Sequence, residues 1–170
     1  MNYVIFQTKW GYFGIVGSDN NICRTFLPVT EPDLIKVCFL KEFPEATFDK
    51  NLFKNLQKQI IAYFEDKIVD FNTKNTVFLN NFGKFPNSIL KTCQKIKYGQ
   101  TITYKELAQK AGYTNASRAV GNVLAKNPIP LIIPCHRIIR SDGKMGGFTA
   151  PGGTNLKKRL IQHENHIIKP

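Results

Sequence analysis

The chain changes character near residue 85, and this change limits the folds that it can adopt. Before that point, short β-prone apolar segments alternate with turn signals, a pattern typical of an antiparallel meander. After it, the charge balance becomes strongly basic, and the capping, glycine and proline signals are those of short helices. A length of 170 residues corresponds to about one domain or two small ones. We therefore predict an N-terminal α/β domain over 1–84 and a mainly helical domain over 85–170.

The local patterns predict individual elements on both sides of this boundary. In the first half, we expect strands at Tyr3–Gln7, Trp10–Gly17 and Asn21–Leu27, a turn around Asp19-Asn20, and helices from Pro32 to before Pro44 and over Phe48–Phe64. The segment around Asn80-Asn81 is predicted to connect the domains. In the second half, we expect helices at Ser88–Ile96, Tyr104–Ala111, about Asn115–Lys126, and Leu156–Gln162.

Nearly all of the excess positive charge lies in the second half. Residues 1–85 carry ten Lys and Arg and nine Asp and Glu, whereas residues 86–170 carry fourteen basic residues and three acids, a balance of +11. Such a field attracts polyanions, of which nucleic acid is the commonest. The alternative is a basic surface that serves only to keep the protein in solution.

The composition and the first residues exclude several classes of protein. No apolar run approaches the ~20 residues of a membrane span, so we expect no membrane partner. The first ten residues show no basic flank followed by an apolar stretch, so we expect no secretion. The predicted location is the cytoplasm of a prokaryote or the nucleus of a eukaryote, where thiols stay free. Residues 1–85 have two cysteines and no histidine, so no structural zinc site is expected there.

Residues 103–126 predict a helix-turn-helix. Thr103 and Glu106 form a capping box, in which each side chain binds the backbone N–H of the other residue. Gly112 ends the first helix and Pro128 follows the second. The second helix is rich in small residues and offers few long polar side chains to read base edges. It therefore suits either packing inside the domain or a shallow contact with DNA, through Ala116, Ser117, Arg118, Ala119, Gly121 and Lys126.

A proline-flanked apolar segment leads to a cysteine beside a histidine. The motif PCHR spans residues 134–137, and a neighbouring histidine or arginine lowers the pKa of a thiol. Adjacent side chains point apart, so a water would bridge Cys135 and His136. Such a pair needs an orienting acid, and Glu164 is the candidate because Glu106 caps a helix and Asp142 lies in a turn. The alternative is that Cys135 is a small buried hydrophobic residue.

These motifs together resemble the O6-alkylguanine-DNA alkyltransferase (methylated-DNA–protein-cysteine methyltransferase) family. TYKELA, SRAVGNVLAKNP, IIPCHRII, GGF and a final helix ending in HE occur in the family's order and spacing, from about Phe85 to Glu164. The N-terminal half is similar only in its order of strands and helices. The resemblance implies a ribonuclease-H-like N-terminal domain and a C-terminal domain with a helix-turn-helix.

The resemblance also implies roles for individual residues. Cys135 would accept the alkyl group, His136 would activate it through a water, and Glu164 would orient the histidine. Arg118 would enter the base stack, and Tyr104 would donate to guanine N3. Asn127 would hold the cysteine segment in register, and the base would meet a group of residues comprising Pro130, Phe148, Thr149 (through its amide or hydroxyl) and Lys157.

The family further implies direct repair of double-stranded DNA. The protein would bind the minor groove as a monomer, with no obligate protein partner, and would extrude O6-alkylguanine, with O4-alkylthymine as a further candidate. Nothing in the sequence suggests a group that regenerates the thiol. We therefore expect one turnover per molecule, no cofactor and no metal. Two additional residues within TAPGG lengthen the loop before the last helix relative to the family pattern.

Three other functions compete with this interpretation. A DNA-binding regulator with Cys135 as a redox sensor would show sequence-specific binding and no preference for a lesion. A lesion-binding protein without catalysis would leave Cys135 unmodified. A cysteine hydrolase is disfavoured, because its histidine is distant in sequence and meets the cysteine face to face.

Overall fold

The computed structural model describes residues 1–18, 21–71, 76–77 and 82–168. The chain divides into two units, Met1–Phe78 and Leu79–Pro170, a few residues before the boundary predicted at residue 84. The turn predicted at Asp19-Asn20 and the connection predicted around Asn80-Asn81 lie outside the described residues.

The first unit is built on a five-stranded sheet. Its three long strands form the predicted antiparallel meander, with Tyr3 paired to Val16 and Ile15 paired to Thr25. Two parallel edge strands of two residues each complete the order β4-β1-β2-β3-β5. The strands are β1 (Asn2–Thr8), β2 (Gly11–Ser18), β3 (Asn21–Val29), β4 (Thr47–Phe48) and β5 (Thr76–Val77).

Two helices pack on opposite faces of this sheet. They are α1 (Pro32–Glu42) and α2 (Lys54–Phe64). A Cβ at Gly14 would lie 2.4 Å from Ile35 Cγ2 and 2.7 Å from the Phe39 ring, so α1 lies directly on β2. The preceding residue in the strand points to the other face. Phe13 accordingly meets Phe64 of α2, with ring centroids 6.3 Å apart.

Helix α2 begins six residues later than predicted. The apolar residue Phe48 belongs to the edge strand β4, which pairs with β1. Phe53 has a left-handed backbone, with φ of 51°, and marks the turn into the helix. The helical spacing of apolar residues therefore begins in a strand and a turn that precede the helix. The periodicity alone could not distinguish these residues from the helix itself.

The second unit is mainly helical. Its described elements are α3 (Lys84–Gln94), β6 (Ile102–Thr103), α4 (Tyr104–Lys110), α5 (Ser117–Ala125), a 3-10 turn (Cys135–Arg137), β7 (Ile138–Ile139) and α6 (Gly153–Ile168). Helix α3 begins four residues before the prediction, and α6 extends beyond it at both ends. No helix among the described residues is long and apolar enough to cross a membrane.

A short parallel pair joins two distant parts of this unit. Ile102 pairs with Ile138 and Thr103 pairs with Ile139. Thr103 also caps α4 through the predicted capping box: the Glu106 N–H donates to its hydroxyl at 3.1 Å, and its own N–H donates to Glu106 Oε2 at 2.6 Å. The first residue of α4 is therefore held next to the segment that carries Cys135.

Candidate active site

Cys135 lies at the end of a tightly wound buried segment. Leu131 has φ of 78°, and the Ile133 N–H donates to the Ile129 carbonyl at 2.9 Å. The Cys135 N–H donates to the Ile133 carbonyl at 2.8 Å and begins the 3-10 turn. The Cys135 residue is only 6% exposed. This winding fixes the position of the thiol.

Asn127 holds this segment through its side chain. Its Nδ2 donates to the Ile133 carbonyl at 2.8 Å and to Cys135 Sγ at 3.2 Å, and its Oδ1 accepts from the Ile129 N–H at 3.1 Å. One amide therefore contacts both ends of the turn and the sulfur itself. The geometry brings Asn127 to the place that its predicted role requires.

His136 and Glu164 form a buried pair. The His136 Nε2 and Glu164 Oε1 atoms are 2.8 Å apart. Burial would raise the pKa of Glu164, but hydrogen bonds and charges from His136 and Arg137 hold it well below its ordinary value. An ionised carboxylate only accepts hydrogen bonds, so Nε2 carries the proton and Nδ1 is the basic nitrogen. Nδ1 is buried without a hydrogen-bond partner among the described residues, and burial lowers the pKa of the imidazole.

Arg137 also binds Glu164, a contact that was not among the predictions from the sequence. Its Nε donates to Glu164 Oε2 and its Nη2 to Oε1, both at 2.9 Å, while Nη1 donates to the Ile96 carbonyl at 2.6 Å. The Gly99 N–H donates to Glu164 Oε2 at 3.0 Å. An arginine inside the apolar run IIPCHRII was itself a signal, because a buried guanidinium needs a paired carboxylate.

The surroundings of the thiol act on its pKa in opposite directions. Burial raises the pKa of Cys135, and the Asn127 hydrogen bond and the Lys157 charge partly offset this rise. Lys157 has no exposed surface, and burial lowers its pKa to about 8. At neutral pH the site therefore holds a protonated thiol, a neutral imidazole and a charged lysine.

A cavity of about 690 Å³ opens onto Cys135. Its wall combines the start of α4, one side of α5, and the loop between β7 and α6. The lining residues are Tyr104, Lys105, Ser117, Arg118, Gly121, Leu124, Ala125, Cys135, Arg140, Ser141, Asp142, Gly146, Gly147, Phe148 and Thr149. The volume suits a small ligand, and the buried thiol can be reached from it.

Tyr104 lies between this cavity and Lys157. Its hydroxyl is 3.4 Å from Lys157 Nζ. Gly146 has φ of 70°, and a Cβ there would lie 2.7 Å from the Tyr104 hydroxyl. The loop can approach the tyrosine this closely only because residue 146 is a glycine. The Thr149 hydroxyl donates to the Ala125 carbonyl at 2.9 Å.

Comparisons of the amino-acid sequence with known proteins identify its family. A family model described as the DNA-binding domain of 6-O-methylguanine DNA methyltransferase matches residues 84–166. A methylated-DNA–protein-cysteine methyltransferase of Methanosarcina barkeri is 39% identical, covering 93% of this chain and 99% of the relative. One of Metallosphaera sedula is 35% identical, covering 85% and 90%. The chain belongs to this methyltransferase family.

A solved structure agrees with this assignment over both units. The crystal structure of Mycobacterium tuberculosis OGT in complex with DNA matches with a TM-score of 0.79 and 26% identity, covering 98% of this chain and 94% of that chain. The family resemblance inferred from the motifs is therefore confirmed, and the mixed α/β fold with it.

The residues predicted for DNA contact on α4 and α5 divide into two groups. Tyr104, Ser117, Arg118 and Gly121 lie in the cavity wall. Ala116, Ala119 and Lys126 lie outside that wall, and the last two are exposed. All seven stay candidates for DNA contact, but the structure links only the first group to the nucleophile.

Of the residues predicted to contact the base, some line the cavity and others do not. Phe148 and Thr149 line the cavity. Pro130 is half-buried and forms a bridge with Ile133, so it supports the cysteine segment. Among the described residues, no group of three or more His, Cys, Asp or Glu side chains is placed to hold a metal ion.

Proposed function

We propose that this protein repairs DNA by transferring the alkyl group from O6 of guanine directly to Cys135. The observation that carries the proposal is a cavity ending at a thiol that Asn127 binds and that adjoins an oriented His136–Glu164 pair. The names of the relatives and the DNA complex of the structural neighbour support it.

The thiol is activated by proton removal during the reaction. Because burial raises the pKa of Cys135, a base must take its proton. His136 Nδ1 does this through a bridging water, and Glu164 stabilises the resulting imidazolium. The sulfur then attacks the alkyl carbon, a new S–C bond forms, and the C–O6 bond breaks with its electron pair staying on guanine. The proton that His136 took from the thiol returns through the water and ends on N1 of the restored guanine, and Cys135 remains a thioether after one turnover.

The negative charge that develops on guanine needs nearby donors. The Tyr104 hydroxyl donates to N3, and the Thr149 amide faces O6. Lys157 lies behind Tyr104 and its charge stabilises both the thiolate and the leaving base. Phe148 packs against the base within the cavity.

The alkylated base reaches this cavity by leaving the duplex. An O6 substituent lies inside the base stack, so the nucleotide must be extruded first. Residues 103–126 act as a helix-turn-helix whose second helix lies in the minor groove. The small side chains of Ala116, Ala119 and Gly121 permit close approach, Lys126 lies near phosphate, and Arg118 fills the space that the extruded base leaves.

The remaining expectations concern the organisation of the molecule. The first unit is ribonuclease-H-like, the domain boundary lies near residue 84, and the protein acts as a monomer without a cofactor. Support comes from the mixed sheet with a helix on each face and from the family relationship. Gel filtration with light scattering, alone and with a short duplex, measures the stoichiometry.

Intact-protein mass spectrometry tests the central proposal. After mixing with a duplex that carries one O6-methylguanine, we expect one added methyl group, mapped to Cys135, and restored guanine in the DNA. Cys135→Ser should bind the duplex without transfer, whereas Cys38→Ser, a control in the first unit, should transfer normally. Lasting binding without modification would instead support lesion recognition alone, and indifference to the lesion would support the regulator.

A further inference from the structure

A five-residue turn at the cavity wall presents an arginine that the mechanism does not use. The Arg140 N–H donates to the Lys144 carbonyl at 2.9 Å, and the Gly143 N–H donates to the Arg140 carbonyl at 3.0 Å. Gly143 has φ of 78°, which favours glycine at this corner. The backbone of the turn is therefore closed by its own hydrogen bonds.

Asp142 orients the guanidinium from within the same turn. Its Oδ1 accepts from the Lys144 N–H at 3.1 Å, and its Oδ2 lies 3.1 Å from Arg140 Nη2. The two side chains are 57% and 42% exposed. A guanidinium has five N–H donors, so this ion pair leaves Arg140 donors for a second anion.

The turn forms part of the wall of the cavity that ends at the thiol. Arg140, Ser141 and Asp142 line the same cavity as the buried Cys135. A guanine whose O6 substituent reaches the sulfur occupies the interior, so its sugar and phosphates lie toward the exposed rim. The Arg140 charge also acts on the cavity: burial raises the pKa of Tyr104, and Arg140 partly offsets that rise.

We propose that Arg140 binds the DNA phosphate next to the extruded alkylated nucleotide. The inference rests on the proposed function and adds to it a phosphate site that positions the nucleotide for attack. On binding, the phosphate replaces or joins Asp142 as the partner of the guanidinium. Arginine suits this task because its planar fork matches two phosphate oxygens, and phosphate contacts fix the register of bound DNA.

The first test compares substrates with and without phosphate. The second-order rate constant for transfer is measured with a duplex carrying O6-methylguanine and with free O6-benzylguanine base. Arg140→Gln should lower the duplex rate about tenfold, as expected for loss of a charged hydrogen bond, and leave the free-base rate unchanged. Arg140→Lys should fall between. Lys144→Gln removes the same charge from the same turn, outside the cavity wall, and should change the duplex rate less than twofold.

The second test removes the charge from the DNA instead. Neutral methylphosphonate linkages on both sides of the lesion should slow the wild-type protein, but should slow Arg140→Gln much less, because the two changes remove one interaction. Equal effects of the glutamine substitutions at 140 and 144, equal methylphosphonate sensitivity of wild type and Arg140→Gln, or an equal loss on the free base would each overturn the inference. Failure of the proposed function itself has a different signature: wild-type Cys135 stays unmodified with both substrates.

Discussion

Lys157 is a fully buried lysine beside a reactive thiol. Its Nζ lies 5.5 Å from the centroid of the Tyr104 ring, and its charge opposes the rise in the pKa of Cys135. Burial in turn lowers the pKa of the ammonium group to about 8. Keeping this charge inside the protein therefore favours the thiolate but destabilises the fold.

This tension predicts how stability depends on pH. Between about pH 8 and the unfolded value of 10.5, the unfolded chain binds more protons at Lys157 than the folded protein does. Stability from this residue therefore rises with pH across that window, by up to about 3 kcal/mol. In urea denaturation, the free energy of unfolding of the wild type should increase relative to that of Lys157→Met from pH 8 to 10. A constant difference would mean that Lys157 has an ordinary pKa.

Part of the site could be predicted from local chemistry. The Cys135–His136 pair and the only acid left for it, Glu164, follow from residue types and elimination, and the structure brings them together. Arg137 and Gly99 were not predicted, because they bind Glu164 across segments up to 65 residues apart. The place of Arg140 to Asp142 on the cavity wall was not predicted, because it depends on how this loop packs near α4 and α5. Thr149 was predicted to contact the base through its amide or its hydroxyl, and in the structure its hydroxyl donates to the Ala125 carbonyl.

Among the elements, α4 has the clearest start signal. Its capping box satisfies two N–H groups at the first turn, and the residue that follows the cap is Tyr104. The same cap residue pairs with Ile139 just after the cysteine segment. The stability of this helix end is therefore linked to the position of the tyrosine.

Loss of the cap should have a defined effect. Thr103→Ala removes the side-chain acceptor and should lower the free energy of unfolding by about 1 kcal/mol. Urea denaturation measures this, with Thr101→Ala, at an exposed position before the cap, as the control expected to change little. Equal stability of the two variants would show that the box contributes nothing.

A substitution in helix α5 should affect transfer from duplex DNA and transfer from a free base differently. Arg118 is exposed and lines the cavity, and the role proposed for its side chain is in the duplex rather than at the transferred group. Arg118→Ala should slow transfer from duplex DNA at least tenfold and leave transfer from free O6-benzylguanine unchanged. Lys126→Ala, outside the cavity wall, should show the smaller loss of a phosphate contact. Equal losses on both substrates would count against a role in base extrusion.

Element bounds were less predictable than element existence. Capping, turn and periodicity signals predicted each of the helices that the structure describes, but tertiary contacts set their ends. The edge strands β4 and β5 have two residues each, which is too short for a recognisable alternation of apolar and polar residues. Helix α6 begins at Gly153, inside a glycine-rich segment that sequence patterns assign to a loop.

At the scale of the whole molecule, charge is unevenly distributed along the chain. The half that contains the cavity carries nearly all of the net charge of +12. In the proposed complex its basic residues neutralise DNA phosphates and release counterions, so duplex binding is expected to depend on salt.

Transfer from duplex DNA should therefore weaken as salt rises. Below saturation, raising sodium chloride from 50 to 200 mM should lower the rate about tenfold if only two phosphates are contacted, and further for more. Transfer from a free alkylguanine base should barely change over the same range. A salt-independent duplex rate would show that phosphate contacts contribute little to binding.

The position of Glu164 has a consequence for how the protein is made. Glu164 follows every other residue of the site in the sequence, yet it fixes the tautomer of His136 and binds the Gly99 N–H. Synthesis proceeds from the N-terminus, and early segments fold first. A chain still on the ribosome thus carries its cysteine before the acid that completes the base. Under the proposed mechanism, the protein becomes chemically competent only when α6 has been translated and has folded.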